Sequence, residues 1–164
     1  MFNDKVKNVL QYLAWLVFFL FLLYAGTVAV VAKAAKPYSQ HNAKVAKLVK
    51  RTSMTKITSY YHLNRGVSSY AASGETSKGK AAYFIYLPGS HKAYYYSAGD
   101  GVSESTVKSK FQKAYPKKTV KEVNLGWYKK QAVWEVTATN SDGSYCYVLY
   151  RFKDGKQLSL VDKL

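Results

Sequence analysis

The sequence predicts an α+β protein: an N-terminal transmembrane helix followed by two tandem units, each a helix with an antiparallel sheet. Three observations predict it. Asn8 to Ala32 reads NVLQYLAWLVFFLFLLYAGTVAVVA, 25 residues without a charge between Lys7 and Lys33. From Thr55 onward, short runs rich in Val, Thr and Tyr alternate with turn clusters, which is the composition and punctuation of strands. The part of the chain after the anchor also matches itself at a constant shift of 64 residues, the signature of an internal repeat.

The apolar run, residues 8–32, is expected to be the membrane helix. At about 1.5 Å per residue it is roughly 37 Å long, enough to cover a hydrocarbon core of about 30 Å with some tilt. A lone span in lipid satisfies its backbone only as a helix. Tyr12, Trp15 and Tyr24 are candidates for the headgroup region. The rival is a cleaved signal peptide ending at Val30-Val31-Ala32, but the run is about twice the usual apolar region of such a signal. Residues 1–7 are then a cytoplasmic N-terminus and 33–37 a linker. Asp4, Lys5 and Lys7 lie on one flank, and Lys33, Lys36, Lys44, Lys47, Lys50 and Arg51 on the other. Taken literally, that bias favours a cytoplasmic C-terminal part, although long domains translocate largely regardless of charge.

The first unit is expected over 38–98. Pro37 should end or kink the membrane helix near Lys36. Tyr38 to Arg51 reads as an amphipathic helix, with His41, Val45, Leu48 and Val49 near one face and Lys44, Lys47, Lys50 and Arg51 near the other. Strands are expected at Ile57–Leu63, Val67–Gly74, Lys80–Leu87 and Ala93–Tyr96. The second unit, 99–164, opens with Ser103 as N-cap and Glu104 in the first turn. Val107, Phe111 and Ala114 or Tyr115 recur at helical spacing until Pro116 stops the helix. Strands are expected at Thr119–Trp127, Gln131–Thr139, Tyr145–Phe152 and Gln157–Val161, with Asp-Gly pairs marking hairpins. Under the 64-residue shift, Gly79 falls on Gly143, Tyr70 on Trp134, and Ala82 to Tyr86 on Cys146 to Tyr150. The Pro88–His91 turn falls on the Phe152–Gly155 turn. Each helix is expected to cover the apolar face of its own sheet.

No reaction chemistry is apparent. His41, His62 and His91 have no metal-ligand spacing, and no nucleotide-binding or hydrolase motif occurs. The nine acids are scattered. No catalytic, cofactor-binding or metal site is expected, and no cofactor. The single Cys146 excludes an intramolecular disulfide. It lies in a strand-like run, where free cysteine behaves as a small buried hydrophobe. A sortase-like reading would draft His62 and Arg151 as its partners, but the thiol's repeat partner, Ala82, argues for a structural role. Lys and Arg number 25 against nine Asp and Glu, a net charge of +16, which attracts polyanions and anionic membranes. Two surfaces are candidates for binding. Lys44, Lys47, Lys50 and Arg51 form a basic juxtamembrane face, suited to an anionic leaflet or simply to water. Lys92, Tyr94, Tyr96, Tyr128, Lys129 and Lys130 interleave aromatic rings with charge. That pattern suits stacking beside phosphates, with inward packing of alternate residues as the plainer alternative.

The segments Trp134-Glu135-Val136-Thr137, Ser141-Asp142-Gly143-Ser144-Tyr145 and Phe152-Lys153-Asp154-Gly155-Lys156 resemble the C-terminal signature of the YpmB/TseB-like cell wall elongation regulators. Gly74 to Ala81 and Gly101-Val102-Ser103-Glu104 resemble them too. The resemblance implies two tandem cystatin-like (PepSY-like) repeats, held outside the cytoplasmic membrane of a Gram-positive cell by a single-pass anchor. It implies a non-enzymatic regulator of peptidoglycan elongation that binds a class B penicillin-binding protein. One alternative is a basic module for teichoic acid, anionic lipid or DNA, with nucleic acid the least favoured partner. Another, borrowed from the fold, is a protease-inhibitor-like or propeptide-like role.

Overall fold

A computed structural model describes residues 4–164. Residues 1–3 of the expected cytoplasmic N-terminus lie outside the described residues, as do the side chains of residues 4, 5, 32 and 34–38. The chain divides into two compact units, Met1–Gln40 and His41–Leu164. Helix α1 covers Asp4–Val49. Its segment Val6–Val31 is long and apolar enough to cross a membrane. The helix does not end at Pro37, and the expected linker 33–37 is helical. A proline inside a helix removes one backbone donor. Ala32, Ala34 and Ala35 are strong helix formers and favour continuation up to it.

The second unit carries two four-stranded antiparallel meanders. The first consists of β1 (Met54–Asn64), β2 (Ser68–Thr76), β3 (Ala81–Leu87) and β4 (Lys92–Ser97). Helix α2 (Glu104–Ala114) follows, then β5 (Thr119–Tyr128), β6 (Gln131–Thr139), β7 (Tyr145–Arg151) and β8 (Gln157–Val161). Ser103 caps α2 by accepting the Thr106 N–H at 3.2 Å. The pairing of β2 with β3 repeats in β6 with β7 under the 64-residue shift: Tyr70 opposes Tyr86 as Trp134 opposes Tyr150, and Ala72 opposes Phe84 as Val136 opposes Val148. The first hairpin of each meander differs. Asn64 pairs Ser68 across three loop residues, whereas Tyr128 pairs Gln131 across two. The one-residue difference is absorbed by irregularities, two in β1 and one in β5, as bulges do.

Strand alternation sorts the first sheet's residues into two cores. Tyr70, Ala72, Ala82, Phe84 and Tyr86 pack under Val45 and Val49 of α1. Tyr61, Ala71, Tyr83, Ile85 and Leu87 join Val107 and Phe111 of α2 and the inner face of the second sheet. Both faces of β3 are therefore buried, which explains its unbroken apolar run AAYFIYL. Each helix does cover its own sheet. The first sheet also closes the second core, which the sequence pattern did not disclose. Trp134, fully buried, meets Tyr61 and Tyr83 edge-on at 5.5 and 6.0 Å and donates its indole N–H to Val102 O at 2.9 Å.

The sheets meet at one close crossing. Buried Ser69 donates to Leu63 O and accepts the Trp127 N–H, each at 3.0 Å. The backbone at Gly126 comes so near that an added Cβ would lie 2.4 Å from Leu63 Cβ and 2.6 Å from Ser69 Oγ. Beside this crossing, Arg65 Nε donates to the buried Glu135 carboxylate, and its guanidinium lies 5.1 Å from the centre of the Tyr147 ring.

Candidate interaction groove

The six residues of the aromatic-basic surface are divided by strand alternation. In β4, Tyr94 stands opposite Ile85 and Tyr96 opposite Tyr83, so both face the second core. Tyr94 stacks on Trp127 at 4.1 Å with planes 17° apart, and Tyr96 packs on Phe152 at 5.0 Å. They are half-buried, and packing rather than free presentation fixes them. Tyr128, one position beyond Trp127, points to the opposite face of β5 and packs with Leu63, Val133 and Leu149. Lys129 lies over its ring at 5.3 Å. Lys92, Tyr94, Tyr96 and Lys130 thus converge on one groove, while Tyr128 and Lys129 belong to another face.

That groove consists of two adjoining cavities, about 840 and 470 Å³ in volume, which share Trp127 and Lys130. The β4 wall contributes Lys92 and Tyr94 to the larger and Tyr96 to the smaller. Ser68, Leu87 and Ser90 are among the other residues lining the larger cavity, and Asp100, Arg151 and Lys153 among those lining the smaller. The lining is basic. Asp154 holds Arg151 through two hydrogen bonds of 2.9 and 2.6 Å, and these bonds draw the Asp154 carboxyl down to about 2. The Asp100 carboxylate accepts the Ser97 N–H at 2.6 Å. Among the described residues, Lys92, Lys130 and Lys153 have no ion-pair partner.

Lys130 reaches the groove from a strained turn. Lys129 and Lys130 have φ of 45° and 63° and form the two-residue connection between β5 and β6. A turn with positive φ at both positions normally uses Asn and Gly. Two lysines there hold a conformation that costs about 1–3 kcal/mol per residue. The sequence marked this segment only as a turn. The expected strands left Tyr128, Lys129 and Lys130 as the connection, and its signal was a short gap between strong strands with neither glycine nor asparagine in it.

The other residues singled out by sequence have plainer settings. Lys44, Lys47, Lys50 and Arg51 are all exposed, on the side of α1 and its following turn away from buried Val45 and Val49. His41 and His62 sandwich the Tyr70 ring at 4.0 and 4.6 Å. Burial, and then the neighbouring His41, lower the His62 pKa. Cys146 is buried, and burial pushes its thiol up. Of the residues drafted for a sortase-like site, His62 stacks on Tyr70 and Arg151 is hydrogen-bonded to Asp154. Among the described residues, no group of three or more His, Cys, Asp or Glu is placed to hold a metal ion.

No protein-family model matches the sequence, and no curated protein matches it significantly. Among solved structures, the chain is similar to the YpmB protein from Bacillus subtilis. The two are 26% identical, the match covers 74% of this chain and 96% of that one, and the TM-score is 0.60. The chain therefore has a YpmB-like fold.

Proposed function

We propose that this chain is a membrane-anchored, extracytoplasmic, non-enzymatic regulator of peptidoglycan elongation that acts by binding a class B penicillin-binding protein. The observation that carries the reading is a YpmB-like fold on a chain whose N-terminal helix is long and apolar enough to span a bilayer. The resemblance of the Trp134–Lys156 segments to the elongation regulators supplies the partner class. We read the two helix-plus-sheet units as copies of one cystatin-like module, for which the shared register of β2–β3 and β6–β7 is support. The groove beside β4 is the contact surface we assign to the partner.

Topology tests the location. A reporter active only outside the membrane, fused after Leu164, is expected to be active, and one active only inside to be silent. The reverse would sink the wall reading and favour a cytoplasmic tether. A second reading, a polyanion-binding module, is favoured by the net charge of +16 and the unpaired groove lysines. It differs in its salt response: polyanion affinity falls steeply with salt, while a packed protein interface keeps more of its affinity.

A further inference from the structure

We infer that β4 is a docking edge on which an extended, acidic segment of a partner protein adds a fifth strand to the first sheet. The inference rests on the reading of this chain as an interaction module and specifies how the groove is used.

Each meander has two outer strands, so β1, β4, β5 and β8 are the edges among the described residues. Natural proteins protect edges against unwanted pairing with bulges, charges or cover. The pairing of β1 is interrupted twice, that of β5 once and that of β8 once, and β5 is further covered where Ser69 and Gly126 join the sheets. The pairing of β4 with β3 is unbroken from Lys92 to Ser97. After Lys92 the strand reads AYYYS, without charge, proline or glycine. It is regular, about 20 Å long at 3.3 Å per residue, and an outer strand of its sheet, open up to Tyr96, beyond which Asp100 engages both the N–H and the carbonyl of Ser97.

The surroundings of β4 suit an added strand. Such a strand would direct every second side chain to the face of Tyr94 and Tyr96, the face on which both cavities lie. Backbone pairing would supply affinity and the cavities side-chain selectivity, as in other strand-addition complexes. The central part of the groove is aromatic, at Tyr94 and Trp127, and unpaired lysines stand along it at Lys92, Lys130 and Lys153. The complementary segment has an apolar residue flanked, two positions away on each side, by carboxylates. A second copy of this chain is a poor occupant, because each copy carries a net charge of +16 and like charges repel.

The test uses the full chain in nonionic detergent and a fluorescein-labelled seven-residue peptide. The peptide is threonine throughout, except for glutamate at its second and sixth positions and valine at its fourth. One control has proline at positions three and five, which removes two backbone donors, and another has lysine in place of both glutamates. The expected results are binding of the acidic peptide, at least tenfold slower hydrogen exchange across Lys92–Ser97 at saturation, and at least tenfold weaker binding of both controls. The double substitution Lys92→Glu with Lys130→Glu should weaken the acidic peptide at least tenfold and improve the lysine peptide. Both lysines are exposed, and near-UV circular dichroism verifies that the variant is folded. Equal binding of the proline peptide, or no added protection in β4, would overturn strand addition. Protection that rises with protein concentration without peptide would assign the edge to self-pairing instead. The peptide contains no part of a transpeptidase, so its docking can succeed where penicillin-binding protein association fails, and the reverse.

Discussion

The Lys129-Lys130 turn offers a perturbation in which stability and binding should move in opposite directions. Replacing the pair with Asn and Gly supplies the residues that a turn of this backbone geometry favours. Relief of strain at two positive-φ residues contributes about 1–3 kcal/mol each. Against this stand the extra unfolded-state freedom of glycine, about 0.5–1 kcal/mol, and loss of the contact between Lys129 and the Tyr128 ring, about 0.5–1 kcal/mol at an exposed site. These ranges leave a stabilisation of between about 0 and 5 kcal/mol, centred on about 2.5 kcal/mol. For a unit the size of His41–Leu164, the central value is a rise in Tm of roughly 10 °C. Thermal unfolding of Lys129→Asn with Lys130→Gly, followed by near-UV circular dichroism in nonionic detergent, reads the first effect. Titration with the acidic peptide reads the second, which should be a loss of affinity because the groove loses the Lys130 ammonium. An unchanged or lower Tm would refute the argument that the lysine pair is held under strain. A raised Tm with unchanged affinity would show that Lys130 does not serve the groove.

Other perturbations address the core. Gly126→Ala is expected to destabilise by about 1–3 kcal/mol, as overpacking does, because its methyl would meet Leu63 Cβ and Ser69 Oγ at the sheet crossing; denaturant unfolding measures it. The Tyr150 hydroxyl is buried without a hydrogen-bond partner among the described residues, so Tyr150→Phe should leave Tm unchanged or raise it, since no bond is lost. Burial lowers the His62 pKa below 6.5, so the unfolded chain binds this proton more readily than the folded one. Stability at this site should therefore fall as pH drops from about 6.5 through the lower folded value, and His62→Gln should flatten that part of the profile. The Asp154 and Asp162 carboxyls are held down to about 2 by their partners. The stability they contribute should persist above about 4 and be lost between there and about pH 2.

Much of this fold was legible because its strands obey local rules. The helix over Val107 and Phe111 has a serine cap at one end and a proline beyond the other, and the Asp-Gly turns punctuate β6 to β8. Three features were not legible. Alternation indicates which residues share a face but not what lies across from it, so the meeting of Tyr94 with Trp127 and of Tyr83 with Trp134 depended on how two sheets dock. Period two also separates Trp127 from Tyr128, which the sequence reading placed with Lys130 in one surface. Pro37 is a local breaker overridden by its context, since α1 continues past it. The groove itself was half visible. Its basic and aromatic residues stand out, whereas the open, regular edge of β4 follows from the register of four strands.

The most direct test of the account is photo-crosslinking in living cells. A photoreactive residue placed at Ala93, exposed on β4, is compared with one at Thr55, exposed on the irregular β1 edge, and adducts are identified with a fluorescent penicillin. The account expects a penicillin-labelled adduct from position 93 that is weaker when Lys92 and Lys130 are both changed to Glu, and none from position 55. An absence of penicillin-labelled adduct from position 93, with the protein present at normal level in the membrane, would contradict it.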